Sequence, residues 1–326
     1  MSSRWVVGVC GLSLLAACEG RQSVLDPAGE DAARLAGLFW VMFPAAVVIW
    51  ICLAALFIYV VRINPVAMKR GWAEALIVGG GILVPTVALA GLLSYSLPLM
   101  SLHRAPGDGL TIRVVGEQWW WRVEYWPEGA EAPIISANEM RLPSDERVDL
   151  VLTSHEVIHS FWVPALGGKT DMFPGRETSM SLRALEPGVY RGQCTEFCGA
   201  SHALMAFEVE VMEPAAFDAW LEHAASPAET PVDAAAERGQ AVFQREGCGA
   251  CHTVRGTPAV GEVGPDLTHV GARHSLGAGI LPNDPEAFAH WVRDTGEIKP
   301  AVAMPDYDHL AETELADLSL YLEGLQ

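Results

Sequence analysis

The sequence predicts a multidomain, membrane-anchored chain in three parts: a two-helix transmembrane hairpin, an all-β sandwich or Greek-key barrel, and an all-α module. Two long apolar stretches lie near the N-terminus, short β-type runs broken by Gly, Pro and acidic residues follow from Thr111, and helical periodicity returns over residues 232–326. With 326 residues, 51% of them hydrophobic, and a mean hydropathy of +0.23, the chain is longer than one ordinary domain and greasier than a purely soluble protein.

The front of the chain reads as an export signal: Arg4, an apolar run over 5–15, then Leu15-Ala16-Ala17-Cys18. Leu-Ala-Ala-Cys resembles a bacterial lipoprotein cleavage box. That resemblance implies a signal peptide over 1–17, discarded with Cys10, and a lipid-modified N-terminal Cys18 that reinforces membrane attachment. An uncleaved signal with an incidental cysteine is the alternative.

The hairpin is expected over 18–103, with helices at 35–61 and 72–97, each longer than the ~20 residues needed to span a bilayer. Arg62, Lys69 and Arg70 in the connection favour a cytoplasmic loop, so everything after residue 97 faces outward from a bacterial plasma membrane. No histidine precedes His103, so the hairpin offers no imidazole to a haem within the bilayer. Glu74 could mark a proton path, but at a helix boundary a solvated or snorkelling side chain is the preferred reading.

The exported part opens with candidate strands at 111–115, 119–125, 147–153, 178–183, 189–193 and 207–212, placing a β domain over 104–225 that ends in a helix at 214–224. Alternation along 119–125 sends Trp119 and Trp121 to one face and Trp120 to the other, so at least one of the three belongs to an edge or a partner surface. Residues 226–231 are short, acidic and Pro-containing, as in a linker. The last module, 232–326, has helical segments at 233–245, 285–294 and 312–322 around a Gly/Pro-rich centre. It holds six basic against fifteen acidic residues, within a net charge of −19 for the chain, a balance that suggests no nucleic-acid partner.

Two short stretches carry metal chemistry. In "GQCTEFCGASHALM", residues 192–205, Cys194 and Cys198 are followed by His202 and Met205, while His159 lies upstream in "SHEVIHSFWVP". Thiolate, thioether and imidazole together select copper, and two thiolates can bridge two ions. A structural disulfide or a Cys2His2 zinc site are the alternatives, and neither employs Met205. The second stretch, "CGACH", sets Cys248 and Cys251 before His252, the attachment pattern for c-type haem with His252 as proximal ligand. Alone it could be half a zinc site, but the module has no second cysteine pair.

Taken whole, Cys-x-Glu-x-Cys-Gly-x-x-His-x-x-Met, with "GEQWWWRVEY", "HSFWVP" and "KTDMFPGR", resembles the dinuclear copper domain of cytochrome c oxidase subunit II, which is cupredoxin-like. The resemblance implies two copper ions held by His159, Cys194, Cys198, His202, Met205 and the Glu196 carbonyl. The Glu196 carboxylate would reach a magnesium or manganese ion at the border with subunit I, and Trp119 would be the tryptophan that receives electrons above the copper pair. This chain departs from the family where His155-Glu156-Val157 replaces a common Asp-Val, making His155 a surface or outer-sphere imidazole. It departs again where Glu74 precedes Pro85 by eleven residues rather than about two helical turns.

In the last module, Met304 in "KPAVAMPDY" resembles the Met-Pro of small cytochromes c, and Pro265 in "GPDL" the proline that orients the proximal histidine. Met304 is thus the expected distal ligand, with His269, His274, His290 and His309 as rivals.

Nearly the whole chain resembles subunit II of a caa3-type oxidase with a fused cytochrome c domain. That resemblance implies an electron relay from a donor cytochrome through haem c and copper to subunit I and the other oxidase subunits, with O2 reduction and proton pumping on subunit I. An alternative is the subunit that receives electrons in a copper-containing nitric oxide or nitrous oxide reductase. A copper carrier would have no use for covalent haem, and intact ligands argue against a subunit that has lost its metals. The acidity of the haem module suggests steering of a basic donor cytochrome.

Overall fold

A computed structural model describes residues 19–66 and 68–326; the proposed signal peptide and Cys18 lie outside them. The chain divides into two compact units, one spanning Ala33–Ala105 and the other combining the described residues up to Ala32 with Pro106–Gln326.

The first unit is helical. Helix α1 (Glu30–Ile58) continues as a π-helical turn (Tyr59–Ile63), and α2 (Arg70–Ala75) runs through a π-helical stretch (Leu76–Leu83) into α3 (Val84–Leu102). Both continuous helices are long and apolar enough to cross a membrane, and their large apolar side chains, Trp50 and Ile77 among them, are exposed. They run beyond the expected 35–61 and 72–97 because polar residues such as Glu30 and Arg70 cap an apolar run without ending its backbone hydrogen bonding. Glu74 is ion-paired with Arg70 at 2.7 Å, one helical turn away.

The second unit begins with a β-sandwich. One sheet has strand order β3-β2-β1-β5-β8, from β1 (Thr111–Glu117), β2 (Trp120–Trp126), β3 (Ile134–Ala137), β5 (Arg147–Ser154) and β8 (Thr178–Arg183). The other has order β4-β10-β9-β6-β7, from β4 (Glu139–Pro143), β6 (His159–Trp162), β7 (Thr170–Met172), β9 (Gly188–Cys194) and β10 (Ala206–Met212). Parallel pairing of β1 with β5 and of β4 with β10 marks the crossed connections of a cupredoxin-like fold. Period-2 alternation sends Trp121, Val123 and Tyr125 of β2 into the core with Ile112 and Val114 of β1. Strands β3, β4, β6 and β7 were not anticipated. They are three to five residues long, too short for alternation to register, and long-range pairing holds them.

Helix α4 (Pro214–Ala224) closes the sandwich, with Phe217 and Trp220 against Tyr125. Residues of the expected linker are fixed, since the Ala228 amide donates to the Arg255 carbonyl. The helical part follows: α5 (Ala234–Arg245), capped by the Asp233 carboxylate, then the two-residue strands β11 (Ser275–Leu276) and β12 (Leu281–Pro282), α6 (Pro285–Arg293), α7 (Thr295–Ile298) and α8 (Glu312–Glu323). Its separate core gathers Phe243, Leu315, Leu318 and Tyr321.

Arg147 ties the first turn of α1 to the sandwich: its guanidinium pairs with Glu30 at 2.8 Å and with the buried Asp31 at 3.2 Å. Removing one partner of a buried pair leaves an uncompensated charge. Arg147→Met is therefore expected to destabilise the β domain by about 3 kcal/mol, measured by chemical denaturation followed through tryptophan fluorescence.

Candidate metal centres

The first candidate centre lies where β6, β9 and the loop after β9 meet. Phe161 pairs in register with Cys194, and the aromatic cluster of Trp121, Phe161 and Phe207 forms the floor. His159 opens β6 and is fully buried. The Cys194 and Cys198 sulfurs are 3.8 Å apart, far beyond the ~2.05 Å of a disulfide.

Around the two thiols the donors are arranged symmetrically. Cys194 Sγ is 3.6 Å from His159 Nδ1 and 3.2 Å from the Glu196 carbonyl oxygen. Cys198 Sγ is 3.4 Å from His202 Nδ1 and 3.9 Å from Met205 Sδ. Each sulfur thus has one imidazole nitrogen and one weaker donor. Their mutual contact holds the Cys194 thiol well below the usual thiol range and pushes Cys198 up, so the pair shares a proton. A buried, soft donor set of this kind fits copper and leaves neither thioether nor carbonyl idle.

Gly116 makes room for the site. A Cβ there would sit 2.8 Å from His159 Cδ2. His155, by contrast, precedes β6, is 73% exposed and contacts Glu117 at 3.1 Å. The Glu196 side chain is half-buried and, among the described residues, its carboxylate has no hydrogen-bond or ion-pair partner.

The second candidate centre is a cavity of about 210 Å³ whose lining includes Cys248, Cys251, His252, Pro265 and Met304. Cys248–Ala250 forms a single 3-10 turn, and the His252 amide donates to the Cys248 carbonyl at 3.0 Å, so both thiols and the imidazole lie on one wall. His252 Nδ1 donates to the Pro265 carbonyl at 2.7 Å. This fixes the tautomer with Nε2 free to ligate, and burial lowers the imidazole's proton affinity. At Gly264 a Cβ would come within 2.5 Å of His252 Cε1. The residues fit a covalently attached haem: apolar walls, two thiols and a neutral, oriented imidazole. His269, His274, His290 and His309 do not line the cavity and are bonded elsewhere, to Gln326, Glu210, Asp294 and Glu246.

The two centres adjoin. Trp119 lies in the turn ahead of β2 and is 5% exposed. Its Nε1 donates to the Cys198 carbonyl at 3.0 Å, and Gln118 Nε2 donates to the same oxygen at 2.7 Å, while both side chains also line the haem-type cavity. Trp120 lines that cavity too, so the outward-facing tryptophan meets the chain's own second module. Ser201 Oγ donates to the Pro300 carbonyl at 2.6 Å, joining the cysteine loop to the helical part. Sequence reasoning passed over Gln118, Arg273 and Lys299 as cavity residues. A lysine five residues before the expected distal methionine was the available signal.

Family models match at two places: cytochrome c oxidase subunit II, periplasmic domain, over residues 127–212, and cytochrome c over 236–326. The chain is 34% identical to cytochrome c oxidase subunit 2 of Bacillus sp. (strain PS3), across 74% of this chain and 69% of the relative. The chain belongs to the cytochrome c oxidase subunit 2 family.

A second subunit 2, from Bacillus subtilis (strain 168), is 32% identical over 75% of this chain and 70% of its own length. That from Alkalihalophilus pseudofirmus is 40% identical over 66% of this chain, which spans 61% of that relative. The crystal structure of the periplasmic domain of subunit II of cytochrome oxidase of Bradyrhizobium japonicum is 34% identical, with a TM-score of 0.34, over 37% of this chain and 95% of that one. The chain thus joins a subunit II periplasmic domain, whose family implies copper, to a cytochrome c module, which implies haem c. Gly116→Ala in this subunit 2 is expected to displace the His159 ring and weaken copper binding about 10- to 100-fold, the usual cost of disturbing a ligand's support, read by copper titration of the metal-free chain.

Proposed function

We propose that this chain takes electrons from a donor cytochrome and delivers them to subunit I of a haem–copper cytochrome c oxidase, where O2 is reduced. One observation carries the reading: Trp119 touches both candidate centres, lining the cavity beside Cys248, Cys251 and His252 while bonding the carbonyl of Cys198. The proposed copper ligands are His159, Cys194, Cys198, His202, Met205 and the Glu196 carbonyl. The Glu196 carboxylate is proposed to reach a magnesium or manganese ion at the subunit I border. Cys248 and Cys251 would hold the haem by thioethers, with His252 and Met304 as axial ligands. When bound, the haem and the copper pair accept and release single electrons.

The chain's own residues supply the conditions for that transfer. Pro265 holds His252 in one tautomer, the buried thiols share a proton that metal binding would displace, and Trp119 and Gln118 clamp the Cys198 carbonyl. Burial of Trp119 keeps water out of the space between the centres, which lowers the reorganisation needed when charge moves.

The two helices of the hairpin are proposed to span a bacterial plasma membrane, with both metal centres on the outer face and lipid attached at Cys18. Membrane lipid and the other oxidase subunits would be the standing partners. Domain limits are proposed at 18–103, 104–225 and 232–326, with 226–231 between.

In detergent-purified full-length chain, Cys198→Ser is expected to abolish bound copper and spare covalent haem, whereas Met304→Ala is expected to change haem ligation and spare copper, read by metal content and optical spectra. Loss of both centres from either change in a folded chain would refute the assignment. With a net charge of −19, reduction of the haem by a basic cytochrome is expected to slow as ionic strength rises; a salt-independent rate would remove electrostatic steering.

A further inference from the structure

Two cationic side chains, Lys299 and Arg273, line the cavity proposed for haem, and no Asp or Glu lines it. Lys299 is 2% exposed. Its Nζ donates to the Gly277 carbonyl at 2.7 Å, and among the described residues no carboxylate lies within ion-pairing distance of it. Arg273 donates to the Asp266 carbonyl and has the Asp266 and Glu139 charges nearby. Lys299 is thus the uncompensated cation of the cavity.

An unpaired ammonium buried among apolar groups is strongly disfavoured, and one neutral carbonyl does not offset it. Burial pushes Lys299 down to about 7. Cys198, on the copper side, offsets that burial only in part, and metal binding would occupy its sulfur. The other titratable groups lining the cavity are Cys248 and Cys251, consumed by thioether bonds, His252, consumed by iron, and Tyr307, whose proton burial retains.

A c-type haem brings two carboxylates on flexible arms. We propose that Lys299 is the counter-cation of one haem carboxylate and holds it beside the segment 299–300 that contacts the copper loop through Ser201. The pairing removes two isolated charges at once: the ammonium that the fold has buried, and the carboxylate that the haem carries into an apolar slot. It rests on the reading that the cavity holds covalent haem. It assigns to this chain a cofactor-binding residue that neither thioether nor axial ligation requires.

The experiment is a redox titration of the haem in full-length chain loaded with haem and copper, across mildly acidic to mildly alkaline pH, for the native chain, Lys299→Met and Lys299→Arg. Without the cation, the buried carboxylate is pushed up in proton affinity and ionises within the range studied. Its negative charge then stabilises ferric iron, so the potential of Lys299→Met is expected to acquire an additional fall with rising pH, absent from the native chain and from Lys299→Arg. If instead the native chain shows a fall near neutral pH that Lys299→Met abolishes, the lysine titrates on its own and the proposal is overturned. A shift confined to the copper potential overturns it as well. Should Lys299→Met not retain haem, rescue by Lys299→Arg supports the proposal and failure of that rescue overturns it. Absence of a covalent haem spectrum from the native chain would instead defeat the haem assignment on which the proposal rests.

Discussion

Two buried thiols facing each other at 3.8 Å, one at the end of β9 and one in the loop after it, are the constraint around which the second unit is organised. Such a pair is unstable in isolation: ionising both places like charges together in a poorly solvated site, and protonating both wastes two soft donors. The surrounding fold answers with one imidazole nitrogen and one weaker donor for each sulfur. Those donors come from β6 and the loop after β9, held in position by strand pairing and by the aromatic floor of Trp121, Phe161 and Phe207. The β-sandwich therefore supplies rigidity where a metal pair would need the same geometry in two oxidation states.

The helical module depends on the same loop. Trp119 and Gln118 bond the Cys198 carbonyl while forming part of the cavity wall, and Ser201 bonds the backbone ahead of the Met304 segment. Arg122 and Arg141 add hydrogen bonds to the carbonyls of Glu262 and Ala272, and the His274 amide donates to Glu139. The two parts are packed as one compact unit, so the separation between the proposed centres is set by a bonded interface. A tether alone would leave that separation to chance.

Much was legible in the residues. Softness and spacing of Cys194, Cys198, His202 and Met205 pointed to copper, and Cys248, Cys251 and His252 to covalent haem, because ligand chemistry is local and reads directly from short strings. Helices α4, α5, α6 and α8 agreed closely with expectation, since apolar periodicity and caps such as Asp233 are also local. Strands β3, β4, β6 and β7 were not legible, because their stability comes from partners distant in sequence. Trp119 was expected within a strand and lies in the preceding turn, yet its buried side chain matches the face expected for it.

The sequence by itself determined that this chain holds two helices long and apolar enough to cross a membrane, a copper-type donor set and a haem-attachment segment, all consequences of residue type at short spacing. Only the tertiary structure decided that His159 meets Cys194, that the histidines rivalling Met304 line no part of the cavity, that Trp119 contacts both candidate centres, and that Lys299 is buried with no carboxylate of the described residues within ion-pairing distance. Those facts depend on which surfaces pack together, and packing brings together residues that no local pattern relates.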